Sequence, residues 1–430
     1  MKIKNIHIFG GGTVAHISNH FAITAPAYGS TARKLQKLVM ERFDSCNAYL
    51  ELTEMAGGIF ETNDDISNRI EELKKDMNTK IIFFNCALVD FVPIHLKASK
   101  ELKENEESVL KPSLETSIFG KYETRLETKK SNILDIGFIP SSKIIPNIRK
   151  GRKDIFLVGF KTTCNASKQE MYLKGLELVK NGSCNLVLVN DTKTHWNQLV
   201  SPEESCLYET DNRNDILKEL VDITWHRSHL TFTQSTVVDG KPIPWSSDLV
   251  PNSLRTVVNY AINKNAYKSF GESKNTVGHF GIKINDTEFL TSIRKSNFND
   301  LDKIGLVKVK TDGPDTVIAY GAKPSVGGQS QRIVFNDHIG YDCVFHAHIP
   351  LRDNHKDNIP IVIQKYTECG SHQCGTATSN NLKQFNNLKA VMLDNHGPNI
   401  IFNKDINSQE VIDFIESNFD LSKKTGGYQI

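Results

Sequence analysis

The sequence predicts an α/β protein with two domains. Apolar stretches typical of buried strands alternate with amphipathic helical segments through the first half, which indicates a mostly parallel sheet with helices on both faces. The 430 residues exceed what one hydrophobic core usually holds. A turn-rich stretch at residues 231–250 has little periodicity, so we interpret it as a linker between domains at 1–230 and 251–430.

Composition narrows the class of protein. Hydrophobic residues make up 39% and charged residues 24%, as in a soluble globular protein. The net charge of +2 gives no argument for a nucleic-acid partner, and no apolar run approaches the roughly 20 residues of a membrane span. The eight cysteines are scattered singly, as in a reducing compartment. We expect a cytoplasmic protein whose partners are small molecules.

The first half begins with a strand that runs into glycines. Backbone N–H groups of Gly11, Gly12 and Thr13 could approach a phosphate closely, although glycine turns are common and this is not a full Gly-x-Gly-x-x-Gly. Asp90 ends a strong buried strand, where ligands of open α/β sheets gather, although many such acids only cap the next turn. The other predicted elements are strands at 47–52, 155–160 and 185–189 and helices at 32–43, 64–77, 145–150, 168–180 and 215–224.

Short motifs in this half resemble phosphopantothenoylcysteine synthetase, the ligase of coenzyme A synthesis. They occur in the family's order over about residues 1–225: Gly10-Gly11-Gly12-Thr13, Ile17-Ser18-Asn19-His20, Val89-Asp90-Phe91, Pro140 with Lys143-Ile144-Ile145, Val158-Gly159-Phe160 and Leu188-Val189-Asn190-Asp191. The resemblance implies a Rossmann-like fold. It also implies a reaction in which CTP or another nucleoside triphosphate, with Mg²⁺, activates a carboxylate for attack by an amine.

The same resemblance implies roles for individual residues. Asn19 would hold the acyl intermediate, and Arg125, in a charged excursion from the sheet, would act on the triphosphate. The nucleotide site would be formed by Gly11, Gly12, Thr13, Asp90, Phe160, Lys180 and Asn190. One segment departs from the family, because Phe21–Pro26 replaces a Ser-Ser-Gly-Lys-like run near the acyl substrate. The sequence therefore leaves phosphopantothenate open as the substrate.

An NAD-binding domain is the alternative for the first half. Such domains carry an acidic residue about 20 positions after a full glycine fingerprint. This chain lacks both features, which argues against that alternative.

In the second half, histidines form a candidate metal site. Asp342–Pro350 reads as a short buried strand on which His346 and His348 point the same way, about 7 Å apart. His396 follows another apolar strand in an Asn-His-Gly turn. Three nitrogen ligands with one open position are the pattern of a catalytic zinc site, whereas the alternative is three ordinary half-buried histidines. The other predicted elements are helices at 253–264 and 332–338 and strands at 276–284, 288–291, 306–309 and 315–320.

This order of motifs resembles the class II aldolase/adducin family over about residues 251–415. The resemblance implies an α/β/α domain in a tetramer, with Zn²⁺ held by His346, His348 and His396. It also implies that Gly278, Thr291 and Ser325 bind a substrate phosphate. Because members of both families self-associate, we expect a homo-oligomer that is either a dimer or a tetramer.

One position again departs from the family. Gly327, in Lys323-Pro324-Ser325-Val326-Gly327-Gly328-Gln329, stands where the aldolases carry the glutamate that acts as general base. Loss of a general base costs a factor of order 10²–10⁴ in rate. Glu368 is a replacement base or only a loop carboxylate, and zinc-bound water is a further option.

Together these features predict a bifunctional enzyme, an acyl-nucleotide-forming ligase joined to a zinc-dependent, class II aldolase-like lyase. Two alternatives stay open. Gly327 is compatible with an adducin-type scaffold without catalysis, although such relatives tend to lose the zinc histidines. It is equally compatible with a zinc dehydratase or epimerase that does not cleave an aldol.

Overall fold

The computed structural model describes residues 5–44, 46–94, 120–122, 136–269 and 274–426, with no side-chain description at 328–330. The chain divides into two compact units. Unit 1 comprises Met1–Phe160 and Leu178–Leu186, and unit 2 comprises Lys161–Glu177 and Val187–Ile430. The domain boundaries at 1–230 and 251–430 stay a prediction. No helix among the described residues is long and apolar enough to cross a membrane.

The first half of the chain is built from alternating strands and helices. Its strands are β1 (Asn5–Gly12), β2 (Val14–Ser18), β3 (Phe21–Thr24), β4 (Asn47–Leu52), β5 (Thr79–Ala87), β6 (Phe91–Ile94), β7 (Gly137–Pro140), β8 (Phe156–Thr163), β9 (Leu186–Asp191), β10 (Asn197–Val200) and β11 (Cys206–Thr210). Its helices are α1 (Ser30–Arg42), α2 (Asn63–Lys75), α3 (Ile145–Ile148), α4 (Lys168–Gly182) and α5 (Arg213–Ser228).

The first sheet has the order β11-β10-β9-β8-β5-β1-β4 among the described strands. β1 pairs in parallel with β4 and β5, and β5 pairs in parallel with β8. β10 is antiparallel to both of its neighbours. Residues 6–12 of β1 are all buried, as expected for a central strand covered on both faces. The predicted mostly parallel sheet is confirmed.

The second half forms a larger, mostly antiparallel sheet. Its strands are β12 (Gln234–Val238), β13 (His279–Lys283), β14 (Glu288–Thr291), β15 (Val307–Thr311), β16 (Thr316–Tyr320), β17 (Cys343–His346), β18 (Ile361–Val362), β19 (Lys383–Phe385), β20 (Leu388–Leu393) and β21 (Gly397–Phe402). Its helices are α6 (Asn252–Asn263), α7 (Leu301–Ile304), α8 (Val326–Asp337), α9 (His372–Asn381) and α10 (Ser408–Asn418). The order is β12-β16-β15-β14-β13-β17-β21-β20-β18, with β19 on β20.

Helices cover both faces of this second sheet. Phe345 packs in a core that contains residues of α6 and α10, whereas its neighbour Val344 packs in a core with residues of α8. Because successive side chains of a strand point to opposite faces, these two cores lie on opposite sides of the sheet. The predicted α/β/α layering is therefore confirmed.

Several predicted elements need correction. The buried strand that was predicted to end at Asp90 stops at Ala87, and β6 begins at Phe91 and pairs with β7 instead. The helix expected from residue 332 begins at Val326, because Ser325 has extended backbone angles and the chain turns helical directly after it. The stretch interpreted as irregular linker contains β12, whose β-branched residues pair with β16.

Candidate metal centre and candidate nucleotide site

The sheet register places one of the predicted metal ligands in a row of polar side chains. His346 lies directly opposite His279 on β13 and opposite Asn399 on β21. Residues opposite each other in an antiparallel pair project from the same face of the sheet. These three side chains therefore share the face that α8 covers, which is also the face of Val344.

A tight turn brings the third histidine to the other two. β20 and β21 form a hairpin whose turn has Asn395 at φ 52° and Gly397 at φ 139°. A Cβ atom at Gly397 would lie 2.1 Å from the carbonyl oxygen of Ala347. Glycine therefore allows the turn to pack directly on the chain between His346 and His348, with His396 facing them.

His346, His348 and His396 form one compact group. Each offers a ring nitrogen, and these ligand atoms all lie within 4.8 Å of one another. The ring centroids are 4.6 Å apart for His346 and His396, 4.7 Å for His348 and His396, and 5.2 Å for His346 and His348. All three side chains are buried, with at most 7% exposure. The structure thus brings together the three residues that the sequence proposed as ligands.

The protonation state of the group suits metal binding. Nδ1 of His346 donates a hydrogen bond to the carbonyl oxygen of Pro398 at 2.8 Å, which leaves the lone pair on Nε2. That Nε2, and Nδ1 of both His348 and His396, are buried and have no hydrogen-bond partner among the described residues. Burial lowers the pKa of His346 and His348 well below the usual value, and lowers that of His396 to about 4. Neutral imidazoles with unsatisfied nitrogens are the donors that a zinc ion requires.

Sequence reasoning missed a fourth histidine, His279. It is 3% exposed, its ring centroid lies 4.6 Å from that of His346, and its Nε2 has no hydrogen-bond partner in the part of the chain that the structure describes. Burial, and then the charge of His396, lower the pKa of His279 to about 3. Only the pairing of β13 with β17 brings it to the site, and pairing between distant strands is not visible in the sequence.

Two residues distant in sequence act on the histidines, one through hydrogen bonds and one through its charge. The backbone N–H of Thr425 donates to the His348 carbonyl oxygen at 2.9 Å, and its hydroxyl donates to the His396 carbonyl oxygen at 2.6 Å. The carboxylate of Glu203 accepts hydrogen bonds from Arg227 at 3.1 Å and from the backbone N–H of Cys369 at 2.8 Å. Threonine and glutamate are common in any sequence, so neither residue could have been singled out beforehand.

The buried ion pair of Glu203 and Arg227 next to the site is fixed by further hydrogen bonds. Arg227 is 1% exposed and also donates to the carbonyl oxygens of Gln364 and Lys365. Burial raises the pKa of Glu203, but the charge of Arg227 and then that of His396 outweigh it and lower the pKa to about 2. Glu203 is therefore ionised at neutral pH and is neutralised by Arg227.

The predicted substrate-phosphate residues lie around the same strands. Gly278 has φ +110°, and a Cβ atom there would lie 2.6 Å from the carbonyl oxygen of His346. The hydroxyl of Thr291 donates to the Phe280 carbonyl oxygen at 3.2 Å. Ser325 is half-buried, and its backbone N–H donates to the carbonyl oxygen of Ser292. The buried hydroxyl of Ser292 has no hydrogen-bond partner among the residues described. Phosphate binding by Gly278, Thr291 and Ser325 stays a prediction.

Other side chains occupy the room that a glutamate side chain would need at position 327. A Cβ atom at Gly327 would lie 2.5 Å from Nδ1 of His279 and 3.3 Å from Sγ of Cys369. Glu368, the alternative base, is half-buried in the neighbouring loop. Burial, and then the charges of neighbouring groups that include Glu368, raise the pKa of Cys369 well above its usual value. Its role as a base stays a prediction.

In unit 1 the glycines of the predicted phosphate loop pack against protein atoms. A Cβ atom at Gly11 would lie 2.0 Å from Oγ1 of Thr53, and one at Gly12 would lie 1.7 Å from the carbonyl oxygen of Ala25. The hydroxyl of Thr13 donates to Asn63 at 2.6 Å and accepts the backbone N–H of Val89 at 2.9 Å. These contacts tie the ends of β1 and β5 together, and nucleotide binding by these residues stays a prediction.

The other predicted ligase residues are dispersed. Asn19 is exposed in the β2–β3 turn, where its side-chain oxygen contacts the His20 ring at 2.9 Å. Asp90 is exposed after β5 and forms an ion pair with Lys143 at 2.8 Å. Phe160 is half-buried in β8, Lys180 is exposed on α4, Asn190 is half-buried in β9 of unit 2, and Arg125 lies outside the described residues.

No protein-family model and no curated protein matches the chain. Among solved structures, it is similar to the DNA/pantothenate metabolism flavoprotein from Streptococcus pneumoniae, with 15% identity, a TM-score of 0.40 and coverage of 51% of this chain and 97% of that one. The C-terminal domain of the coenzyme A biosynthesis bifunctional protein CoaBC shows 12% identity and a TM-score of 0.35, and the match covers 52% of this chain and 94% of that one. L-fuculose 1-phosphate aldolase shows 15% identity and a TM-score of 0.30, and the match covers 40% of this chain and 83% of that one. The first two cover the N-terminal half and the third the C-terminal part.

Proposed function

We propose that the chain is a bifunctional enzyme, with a zinc-dependent lyase in the C-terminal half and a nucleoside triphosphate-dependent ligase in the N-terminal half. The observation that carries the proposal is the buried group of His346, His348 and His396, each of which has one ring nitrogen without a hydrogen-bond partner among the described residues. Buried polar atoms without partners are costly, so a group of three in one place indicates a ligand. We further propose domains at 1–230 and 251–430, a dimer or tetramer, and a cytoplasmic location.

The donor set of the C-terminal half fits zinc. Three imidazoles leave at least one coordination position for a substrate, as in catalytic rather than structural zinc sites. When bound, zinc would act as a Lewis acid toward a carbonyl oxygen of the substrate.

The surrounding residues position the ligands. The hydrogen bond from His346 to Pro398 fixes the ring orientation and leaves Nε2 facing the site. Thr425 holds the backbone of His348 and His396 together. With Gly327 in the place of an acid, we propose Glu368 as the group that accepts a proton from the substrate.

Turnover of carbonyl compounds tests the C-terminal half. Zinc-loaded protein should convert members of a panel of hydroxy-carbonyl and sugar-phosphate compounds, and chelation should abolish the conversion until zinc is restored. His396→Ala should be inactive, whereas His355→Ala is the matched control because His355 is exposed. Equal turnover by His396→Ala and wild type would contradict the proposal.

Gly327 favours a second candidate reaction for the same half. Without an acid at this position, a zinc dehydratase or epimerase that leaves the carbon–carbon bond intact is the alternative to a lyase. Product analysis by NMR distinguishes them, because only cleavage yields two smaller carbonyl fragments from one substrate.

The ligase proposal rests on the ordered motifs and on charged side chains at a strand end. Asp90 and Lys143 lie where ligands of parallel sheets gather, and CTP with Mg²⁺ is the proposed cosubstrate. Pyrophosphate release should require CTP or another nucleoside triphosphate together with a carboxylic acid, with phosphopantothenate tested first. Asn19→Ala should abolish the release and the exposed control Asn78→Ala should not. No release with any acid and nucleotide would contradict this half of the proposal.

A further inference from the structure

Away from the metal centre, three side chains of unit 2 form a chain of hydroxyl, imidazole and carboxylate. Oγ1 of Thr233 lies 2.9 Å from Nε2 of His372, and Nδ1 of the same ring lies 3.4 Å from Oδ1 of Asp315. The carboxylate favours the ring proton on Nδ1, so Nε2 accepts the hydrogen bond that the Thr233 hydroxyl donates. A hydroxyl, a histidine base and an acid that orients the base are the parts of a nucleophilic acyl-transfer site.

This chain begins at the opposite end of the second sheet from the metal centre. By the strand register, His346 on β17 is level with residues beyond Tyr320, where β16 ends. Thr233 and Asp315 directly precede β12 and β16, which pair in parallel from their first residues. The five residues of β16 separate the two ends by about 16 Å, at roughly 3.3 Å per residue. The hydroxyl and the carboxylate are therefore outside the histidine group.

Hydrogen bonds fix the three segments against one another. The backbone N–H of Gln234 donates to the carbonyl oxygen of Asp315 at 2.8 Å. The backbone N–H of His372, the first residue of α9, donates to the carbonyl oxygen of Thr231 at 2.9 Å. The side-chain oxygen of Gln373 accepts the backbone N–H of Thr231 at 3.2 Å. The hydroxyl, the ring and the carboxylate are thus held in position before any substrate binds.

A similar chain in unit 1 is closed to substrates. Oγ1 of Thr79 lies 3.4 Å from Nε2 of His7, and Nδ1 of that ring lies 2.8 Å from Oε1 of Glu51. Thr79 is 0% exposed, so a substrate cannot reach its hydroxyl. By contrast, Thr233 is 9% exposed and the side chain of His372 is 21% exposed. Access from solvent therefore distinguishes the chain in unit 2 from the buried one.

The N-terminus of α9 adds donors for a developing negative charge. The first turn of a helix has N–H groups without acceptors in the helix. The N–H of Cys374 donates to Oγ of Ser371 at 3.1 Å, whereas that of Gln373 has no backbone acceptor in the described part of the chain. His372 stands at this positive end of the helix dipole. The helix end would stabilise the oxyanion that forms when a hydroxyl attacks a carbonyl carbon.

We propose that Thr233, His372 and Asp315 form a further catalytic site, which cleaves esters of small carboxylic acids through an acyl-threonine. Thr233 and His372 are the catalytic residues, and Asp315 is a positioning residue that orients the ring. This activity is independent of the proposed zinc site and of the proposed ligase.

The reaction has two steps. Oγ1 of Thr233 attacks the carbonyl carbon of the ester while Nε2 of His372 takes the hydroxyl proton. The C–O bond of the ester breaks, and the alcohol leaves with that proton. Water then attacks the acyl-threonine with His372 as the base, which releases the carboxylic acid and restores the Thr233 hydroxyl.

Reaction of the full-length protein with p-nitrophenyl acetate, with and without zinc loading, tests the site. We expect a burst of about one p-nitrophenolate per chain, because this activated ester acylates threonine faster than water removes the acetyl group. Peptide mass mapping after acid quenching should place the acetyl group on Thr233, and the buried Thr79 should stay unmodified. Zinc-activated water would hydrolyse the ester without leaving an adduct. No acetyl group on Thr233 would overturn the proposal.

Substitutions test the role of each residue. Thr233→Val should abolish the burst, whereas the exposed control Thr236→Val should keep it. His372→Gln should slow acetylation of Thr233 about a hundredfold or more. Asp315→Asn should slow it at least about tenfold, and Asp315→Glu should restore part of the rate, because a carboxylate orients the ring.

Circular dichroism checks the folding of each variant. Equal acetylation rates in wild type and His372→Gln would overturn the proposal, since the hydroxyl would then react without the base. If Thr233→Val does not fold, the mapping of the acetyl group on wild type still decides.

Discussion

The candidate metal centre and the candidate nucleotide site differ in how their predicted residues are placed. The three predicted zinc ligands converge and are buried, and each has a ring nitrogen without a hydrogen-bond partner among the described residues. The predicted nucleotide-binding residues are either packed against protein atoms, as at Gly12, or exposed, as at Asp90. A metal site is built from side chains that sequence motifs specify directly. A nucleotide site depends more on backbone N–H groups and loop positions, which short motifs specify less well.

The largest expected effect on stability comes from breaking the buried ion pair of Glu203 and Arg227. Glu203→Ala leaves Arg227 charged and unpaired at 1% exposure, which should lower the free energy of unfolding by about 3–5 kcal/mol. Urea unfolding followed by tryptophan fluorescence measures this change in unit 2, because Trp196, Trp225 and Trp245 all lie there. The exposed control Glu177→Ala should change it by less than about 0.5 kcal/mol. A loss below about 1 kcal/mol in Glu203→Ala would show that the pair is not buried as described.

Low pH should lower the free energy of unfolding of the metal-free protein, because its buried histidines are neutral in the folded state. The folded-state pKa of His396 is about 4, whereas an unfolded histidine titrates near 6.5. Between these values the unfolded chain binds more protons, so stability falls as the pH falls from about 6.5 to about 4, by roughly 3 kcal/mol from this residue. The same urea titration in EDTA at several pH values measures the slope. His396→Ala should lose part of this slope, and an unchanged slope would contradict the buried, neutral state.

A smaller effect is expected where the C-terminal segment supports the ligands. Thr425→Val removes the hydroxyl that donates to the His396 carbonyl oxygen and should cost about 1 kcal/mol of unfolding free energy. Loss of such a supporting contact should also weaken zinc binding about tenfold. Competition with a chromophoric chelator measures the affinity, with Thr287→Val as the exposed control. Equal affinity in both variants would exclude a positioning role for Thr425.

The smallest effect on stability is expected in the candidate nucleotide site. Asn19 is exposed, and its side-chain contact is with the adjacent His20, so Asn19→Ala should change the free energy of unfolding by less than about 0.5 kcal/mol. Thermal unfolding followed by circular dichroism measures it. If Asn19→Ala loses ligase activity but keeps its stability, Asn19 is a functional residue of the candidate nucleotide site. A large destabilisation would show instead that Asn19 has a structural role.

The sequence predicted those features that depend on local pattern. The parallel strands around β1 follow from apolar periodicity. The helices on both faces of the second sheet were expected from the resemblance to the class II aldolase/adducin family. His346, His348 and His396 could be grouped because the first two form a His-x-His pair and the third stands in an Asn-His-Gly turn. His279, Glu203 and Thr425 could not be placed, because strand register and chain segments distant in sequence bring them to the site. Arg125 lies outside the described residues, so its predicted role was not placed on the structure.

Zinc content per chain tests the central claim most directly. Elemental analysis of purified protein, loaded with zinc and desalted, should give about one zinc per chain in wild type and in the exposed control His355→Ala. His346→Ala should retain almost none, because it removes one of three ligands from the compact group. Wild type without zinc, or His346→Ala with as much zinc as wild type, would contradict the assignment of these three histidines as a metal centre.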